Sequence, residues 1–158
     1  KYAFRVPVEE REANKLMDGG HKYRRMEIEY ICKETVGKSE AAGEEYWMMM
    51  GDFNAKSRVD NGFYKFREDT AAFLVHDYIS ANTPYIDVIK EKYPNEFITT
   101  TGGKNRIDFF YCTAPLYEKI SVAEVISDEY TTPVRNPQKI SNFWHPSDHR
   151  PILVEFWF

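Results

Sequence analysis

Five residues carry side chains suited to chemistry at phosphate or metal: Asp52, Asn54, Asp108, Asp148 and His149. Asp52 and Asn54 lie in Gly51-Asp52-Phe53-Asn54, directly after the apolar run Trp47–Met50. In extended backbone, residues two apart share a face, so Asp52 and Asn54 point together while Phe53 points away. A carboxylate beside an amide can hold a metal or a water and hydrogen-bond a phosphate. The plain alternative is a strand-terminal turn in which both side chains satisfy local backbone. Asp108 sits in Ile107-Asp108-Phe109-Phe110-Tyr111, a run that otherwise wants burial. A buried carboxylate is costly without a partner, which here is a histidine, an arginine or a metal. An ion pair with Arg106 is the structural alternative. Asp148 and His149 occur in Ser147-Asp148-His149-Arg150-Pro151, before the last apolar segment. Neighbours in a strand face opposite ways, so these two act on different objects: Asp148 on a metal, His149 on a substrate oxygen. His149 then needs a separate carboxylate to fix its tautomer, and Asp108 is the natural candidate.

Weaker signals surround these. Thr99-Thr100-Thr101 with Lys104 and Asn105 offers hydroxyls and an amine to a phosphate, but strand propensity favours an exposed hairpin face. His21, beside Gly20, reads as exposed, and His76 reads as structural within a helix. His145 and Trp144 could shape a site, although packing is the simpler role for the tryptophan. Met48, Met49 and Met50 read as core.

The elements that must position these residues follow from periodicity. Tyr2–Val8 alternates loosely but carries Pro7, giving an edge strand or a bound loop. Asp18-Gly19-Gly20 is a turn. Tyr23, Met26, Tyr30 and Ile31 predict an amphipathic helix over Lys22–Thr35, with Gly37–Glu45 as a loop. Trp47–Met50 predicts a short strand buried on both faces. Arg58–Gly62 reads as turn, and Asp69–Tyr78 as a short helix. Thr83-Pro84 looks like an N-cap followed by a first-turn proline, which predicts a helix to Tyr93, stopped by Pro94. Phe97–Thr101 and Ile107–Thr113 pattern as two strands of a hairpin. Val122–Ser127 and Arg150–Phe158 predict two more strands, with a proline-bearing loop over Thr131–Phe143. The fold class is α/β (α+β), with a mixed sheet and flanking helices.

Composition bounds the function. A chain of 158 residues fits one domain. Twenty-one Lys and Arg stand against 25 Asp and Glu, for a net charge of −4. Binding driven by phosphate neutralisation needs excess cations, so nucleic acid stays open as a partner without being favoured. Aromatics at 16% argue for a substantial core and against disorder. Cys32 and Cys112 alone cannot build a disulfide framework. No apolar run approaches the roughly 20 residues of a membrane span. No Gly-rich phosphate loop opens a helix, which removes a Rossmann-type nucleotide binder. The chain opens at Lys1 without a methionine, as an excised or processed fragment would, and its localisation is unreadable.

Taken in order, the apolar strand with Gly51-Asp52-Phe53-Asn54-Ala55, then Arg106-Ile107-Asp108-Phe109, then Ser147-Asp148-His149-Arg150-Pro151-Ile152 resembles the endonuclease/exonuclease/phosphatase superfamily. That is the deoxyribonuclease-I-like fold, a two-sheet α/β sandwich. The resemblance implies a Mg²⁺-dependent (or Mn²⁺-dependent) phosphoesterase acting on a phosphate ester by water attack. It implies that Asp52 orients or deprotonates the water and that Asn54 hydrogen-bonds the scissile phosphate. Asp108 would pair with His149, Asp148 and Asp52 would contribute to the metal site, and His149 would contact the phosphate. Substrate choice would sit in the loops Lys56–Arg67 and Glu129–His145. The chain also departs from the pattern. The family's earlier motifs, a Gln-Glu pair carrying the main metal ligand and a Thr-His-Leu-like strand, are absent, and Gln138 is the only glutamine. Residues 1–158 therefore read as the C-terminal portion of such a domain. A metal bound by it alone would be weak. An uncovered apolar sheet face would drive a homodimer. The contrasting expectation is a non-catalytic fragment that self-associates or binds phosphate-bearing ligands.

Overall fold

The structure is a computed structural model that describes residues 8–102, 104–127 and 147–158. The expected Tyr2–Val8 segment falls almost wholly outside the described residues, and the Thr131–Phe143 loop, Trp144 and His145 lie outside them. The chain divides into two compact units, residues 1–47 with 55–85, and residues 48–54 with 86–158.

The first unit is helical. Helix α1 (Val8–Asp18) ends in the expected turn, where Gly19 and Gly20 take φ of 65° and 81° and the Asp18 carboxylate accepts the Gly20 N–H. Helix α2 (His21–Ala42) starts as predicted but runs on through the stretch read as loop. Ile28, Cys32 and Val36 recur every four residues on its buried side, and Ser39 continues that side. An Arg25–Glu29–Lys33 chain and a Lys38–Glu34 pair lie along its surface. After a 3₁₀ turn (Arg58–Asp60), α3 (Asn61–Tyr64) closes on Lys65 in the left-handed conformation. A second 3₁₀ turn (Ala71–Phe73), capped by the Thr70 side chain, leads into α4 (Leu74–Asn82). Helix α4 packs on α2, burying Val75, His76 and Ile79, while Arg25 stacks on the Tyr78 ring at 3.7 Å. His76 is buried, as expected of a structural histidine, and His21 is half-buried rather than exposed.

The second unit carries the sheets. Strand β1 (Met48–Asp52) and the two-residue β2 (Ile86–Asp87) flank β3 (Asp108–Cys112), all antiparallel in the order β1-β3-β2. Short helices α5 (Val88–Lys92) and α6 (Ala114–Tyr117) follow β2 and β3. Strand β4 (Ile120–Val125) pairs antiparallel with β5 (Ile152–Phe156). The fold is thus mixed α and β with two small antiparallel sheets, and the mixed sheet expected from the sequence is corrected. Phe110 and Cys112 turn one face of β3 into a core with Val88, Ile89, Leu116 and Ala123, and Phe110 meets Phe156 at 6.2 Å. Phe109 and Tyr111, on the opposite face, stack at 5.7 Å and take the Phe53 ring edge-on. Cys32 and Cys112 are free, and burial pushes each thiol up to about 11.

Three further expectations are corrected. Met48 and Met50 are 51% and 66% exposed, so β1 is not buried on both faces. Thr83 ends α4 instead of opening a helix: its N–H and hydroxyl both donate to the Ile79 carbonyl. Asp87 takes the capping role, accepting the Lys90 N–H at the start of α5. Phe97–Thr101 forms no ladder with β3. Thr100 and Thr101 instead donate their N–H groups to the Asn105 carbonyl, closing a compact loop.

Candidate functional site

The second unit brings the candidate residues to one end of its three-stranded sheet. In the β1–β3 ladder, Asp52 lies opposite Asp108. Gly51 precedes Asp52 with φ of 146°, a backbone that side chains bearing a Cβ rarely adopt. Its open surroundings show that the need for glycine there is conformational, not steric. Asp52 is not held in simple extended alternation with Asn54. Asn54 turns to φ of 47°, and both its N–H and its Nδ2 donate to the Asp52 carboxylate, at 2.7 and 2.8 Å. The local turn weighed as the plain alternative therefore forms, and it leaves Asp52 exposed with two oxygens oriented by one neighbour.

Asp108 heads β3 and finds the partner its burial demands. His149 Nδ1–H donates to Asp108 Oδ1 and Oδ2 at 2.9 Å each. The alternative pairing with Arg106 does not occur. Arg106, fully buried, donates from its Nη1 alone to both Asp87 carboxylate oxygens at 2.9 and 2.7 Å and lies over the Phe109 ring. That arrangement locks the start of β3 to β2 without using the Asp108 carboxylate. His149 is anchored by a bridge to Thr101 and by its own N–H to the Ser147 hydroxyl. Its Nε2 stands 4.0 Å from Asp148 Oδ1, too far for a hydrogen bond. Asp148 is largely exposed.

Electrostatics follow from this geometry. Burial alone would lower the His149 pKa, but the Asp108 hydrogen bond and charge, with Asp52 and Asp148 nearby, outweigh it and raise the value above 6.5. Nδ1–H is committed to Asp108, so the imidazole presents Nε2 outward, able to donate when protonated. Ligand-capable atoms of Asp52, Asp108 and His149 lie within 4.8 Å of one another, close enough to share one divalent cation. Two carboxylates fit a hard cation, while the imidazole already serves Asp108. Asp148 stands outside that group.

The structure thus joins Asp52 to Asn54 and Asp108 to His149, and sets the two pairs across one ladder. It also contains supports that the sequence did not disclose. Asp87 as the Arg106 partner was masked by its place inside an expected helix. Thr100, read as an exposed hairpin residue, is fully buried beneath Asp108.

No family model and no curated protein matches the sequence. The structure is similar to that of an AP endonuclease from Archaeoglobus fulgidus, with a TM-score of 0.58 at 21% identity. The likeness covers 87% of this chain, and the chain spans 55% of that structure. Over most of its length, the chain has a fold similar to that of an AP endonuclease.

Proposed function

We propose that this chain carries the late-portion catalytic groups of a divalent-metal-dependent phosphoesterase of the endonuclease/exonuclease/phosphatase type. The observation that carries the reading is the Asp108–His149 bond, with Asp52 across the ladder from Asp108. In this reading Asp108 fixes the His149 tautomer, so that protonated Nε2 donates to a phosphate oxygen and offsets its developing charge. Asp52 orients or deprotonates the attacking water. Asn54 holds Asp52 with one amide proton and has a second for the phosphate. Asp52 and Asp108 would supply oxygen ligands for Mg²⁺ or Mn²⁺, while Asp148, read as a ligand from the sequence, stands outside that group. Such an ion, when bound, lowers the pKa of a ligated water and neutralises phosphate charge. The substrate class is a phosphate ester. The nuclease-like fold keeps nucleic acid open, while the net charge of −4 does not favour it.

The test is Mg²⁺-dependent hydrolysis of bis(p-nitrophenyl) phosphate by the 158-residue chain and by the product of the whole open reading frame encoding it. We expect robust turnover only from the latter, abolished by His149→Ala. Two or three carboxylates without a further strong ligand leave Mg²⁺ little incentive to shed water. Turnover that survives His149→Ala would overturn the reading.

A second reading is favoured by the exposure of Met48 and Met50 on β1 and of Trp157 and Phe158 after β5. In it, the chain self-associates through apolar surface and binds phosphate-bearing ligands without turning them over.

A further inference from the structure

We propose that Thr100 is a positioning residue for the Asp108–His149 pair, an assignment that rests on the phosphoesterase reading above. Asp108 begins β3 and His149 precedes β5, and these strands belong to different sheets. No ladder therefore fixes one strand against the other. Thr100 spans the gap with three of its polar atoms. Its Oγ1 accepts the N–H groups of Ile107 and Asp108, both at 3.1 Å. Its carbonyl accepts the Arg150 N–H at 2.8 Å, which belongs to the peptide plane that leaves His149. Its own N–H donates to the Asn105 carbonyl at 2.8 Å, tying the loop shut.

The neighbours repeat the pattern. Thr99 accepts the Arg150 guanidinium through its carbonyl and hydroxyl, at 3.1 and 2.5 Å. Thr101 bridges His149, and the Gly102 N–H donates to the Asp148 carbonyl. The stretch 99–102 is thus a strap whose bonds land on both halves of the acid–histidine pair. Within it, only Thr100 uses a side chain to hold the Asp108 backbone. Its complete burial means that water cannot replace the hydroxyl if it is lost. A hydroxyl can accept two N–H groups at once, whereas a methyl of the same shape accepts none.

Two substitutions separate the bonds from the packing. Thr100→Val keeps the shape and removes the acceptor. Thr100→Ser keeps the acceptor and removes a methyl group. The readout is the ¹⁵N and downfield proton spectrum of His149 in the full chain, at one fixed pH. The wild type should show a protonated Nδ1 with a downfield hydrogen-bonded proton. Thr100→Val should lose that proton signal and mix the tautomers. Thr100→Ser should keep both features even where its melting temperature falls. A folded Thr100→Val chain with an unchanged His149 signature would overturn the proposal, as would a Ser variant that behaves like Val. Should the Val variant fail to fold, amide exchange decides. Slow exchange of the Ile107 and Asp108 amides in both wild type and Thr100→Ser supports the clamp, and fast exchange in either overturns it. None of these readouts needs a substrate. Failure of the phosphoesterase reading would appear separately, as absent hydrolysis by the product of the whole open reading frame, or hydrolysis there that survives His149→Ala, beside an intact His149 signature.

Discussion

Strands β1 and β3 are neighbours in one sheet, similar in length and apolar content, yet they treat their carboxylates in opposite ways. Strand β3 is central, and its Phe109, Phe110, Tyr111 and Cys112 are all buried. Its Asp108 has a histidine on its oxygens and a threonine hydroxyl on its N–H. Strand β1 lies at the edge of the order β1-β3-β2, with Met48 and Met50 largely in water. Its Asp52 is braced only through Asn54, two residues away. A carboxylate whose work is to hold a histidine gains from a rigid, dry setting. One that must meet water and a cation gains from exposure and local bracing. The difference fits the roles proposed above: orientation of the histidine for Asp108, contact with solvent-borne species for Asp52.

The largest effect that separates the strands should be on stability. Phe110→Ala empties a buried site against Phe156, Val88 and Ile89, and should cost about 3–5 kcal/mol. Met50→Ala, with its side chain already in water, should stay within about 0.5 kcal/mol. Urea melts in dilute solution measure both. Equal losses would erase the distinction between centre and edge.

A smaller effect distinguishes the carboxylates through His149. Burial lowers its pKa, but the Asp108 hydrogen bond and charge, joined by the charges of Asp52 and Asp148, outweigh that and raise it above 6.5. Folding therefore favours the protonated ring. That stabilisation is fully present below the unfolded value of about 6.5 and is lost as pH rises through the higher folded value. Asp108→Asn removes both the bonded carboxylate and its charge, so burial dominates and the His149 midpoint should fall clearly. Asp52→Asn removes only a more distant charge, and the midpoint should fall less. An NMR titration of His149 checks both variants, and a larger fall in Asp52→Asn would reverse the roles assigned to the two strands.

What the sequence disclosed follows the same division. Asp108 was legible because a carboxylate inside Ile-Asp-Phe-Phe-Tyr must have a partner, and His149 was the histidine beside an apolar strand. The exposure of Met48 and Met50 was not legible, since an apolar run reads alike at a sheet's centre and at its edge. Gly37 concealed the second half of α2. A helix tolerates one glycine at about 0.5–1 kcal/mol, and burial of Val36 and Ser39 on either side offsets it. Thr83-Pro84 misled because threonine serves either end of a helix, here bonding back to Ile79. Thr100 was legible only as one hydroxyl of the Thr99–Thr101 run, not as a buried clamp. Its hydroxyl partners are seven and eight residues onward, and only the closed loop brings them within reach.

The smallest effect is on association, and it tests whether the exposed edge of β1 has a use. Met48 and Met50 leave apolar surface in water, and the outer edge of β1 pairs with no strand among the described residues. An open, apolar strand edge is a template for pairing with another chain. A second copy docking antiparallel would satisfy both edges by twofold symmetry. Fully burying a methionine side chain is worth about 1.5–3 kcal/mol, against an association cost of about 4–15 kcal/mol. Two half-exposed methionines from each copy therefore support only a weak, concentration-dependent dimer, with edge hydrogen bonds adding to it. Sedimentation equilibrium should show a species near twice the 18.6 kDa chain, growing across the micromolar range. Met50→Lys puts a charge on that edge and should return the chain to monomer without moving the His149 titration. A wild type that stays monomeric throughout that range would mean that β1 is exposed for the sake of Asp52 alone, and that the edge has no partner in a second copy.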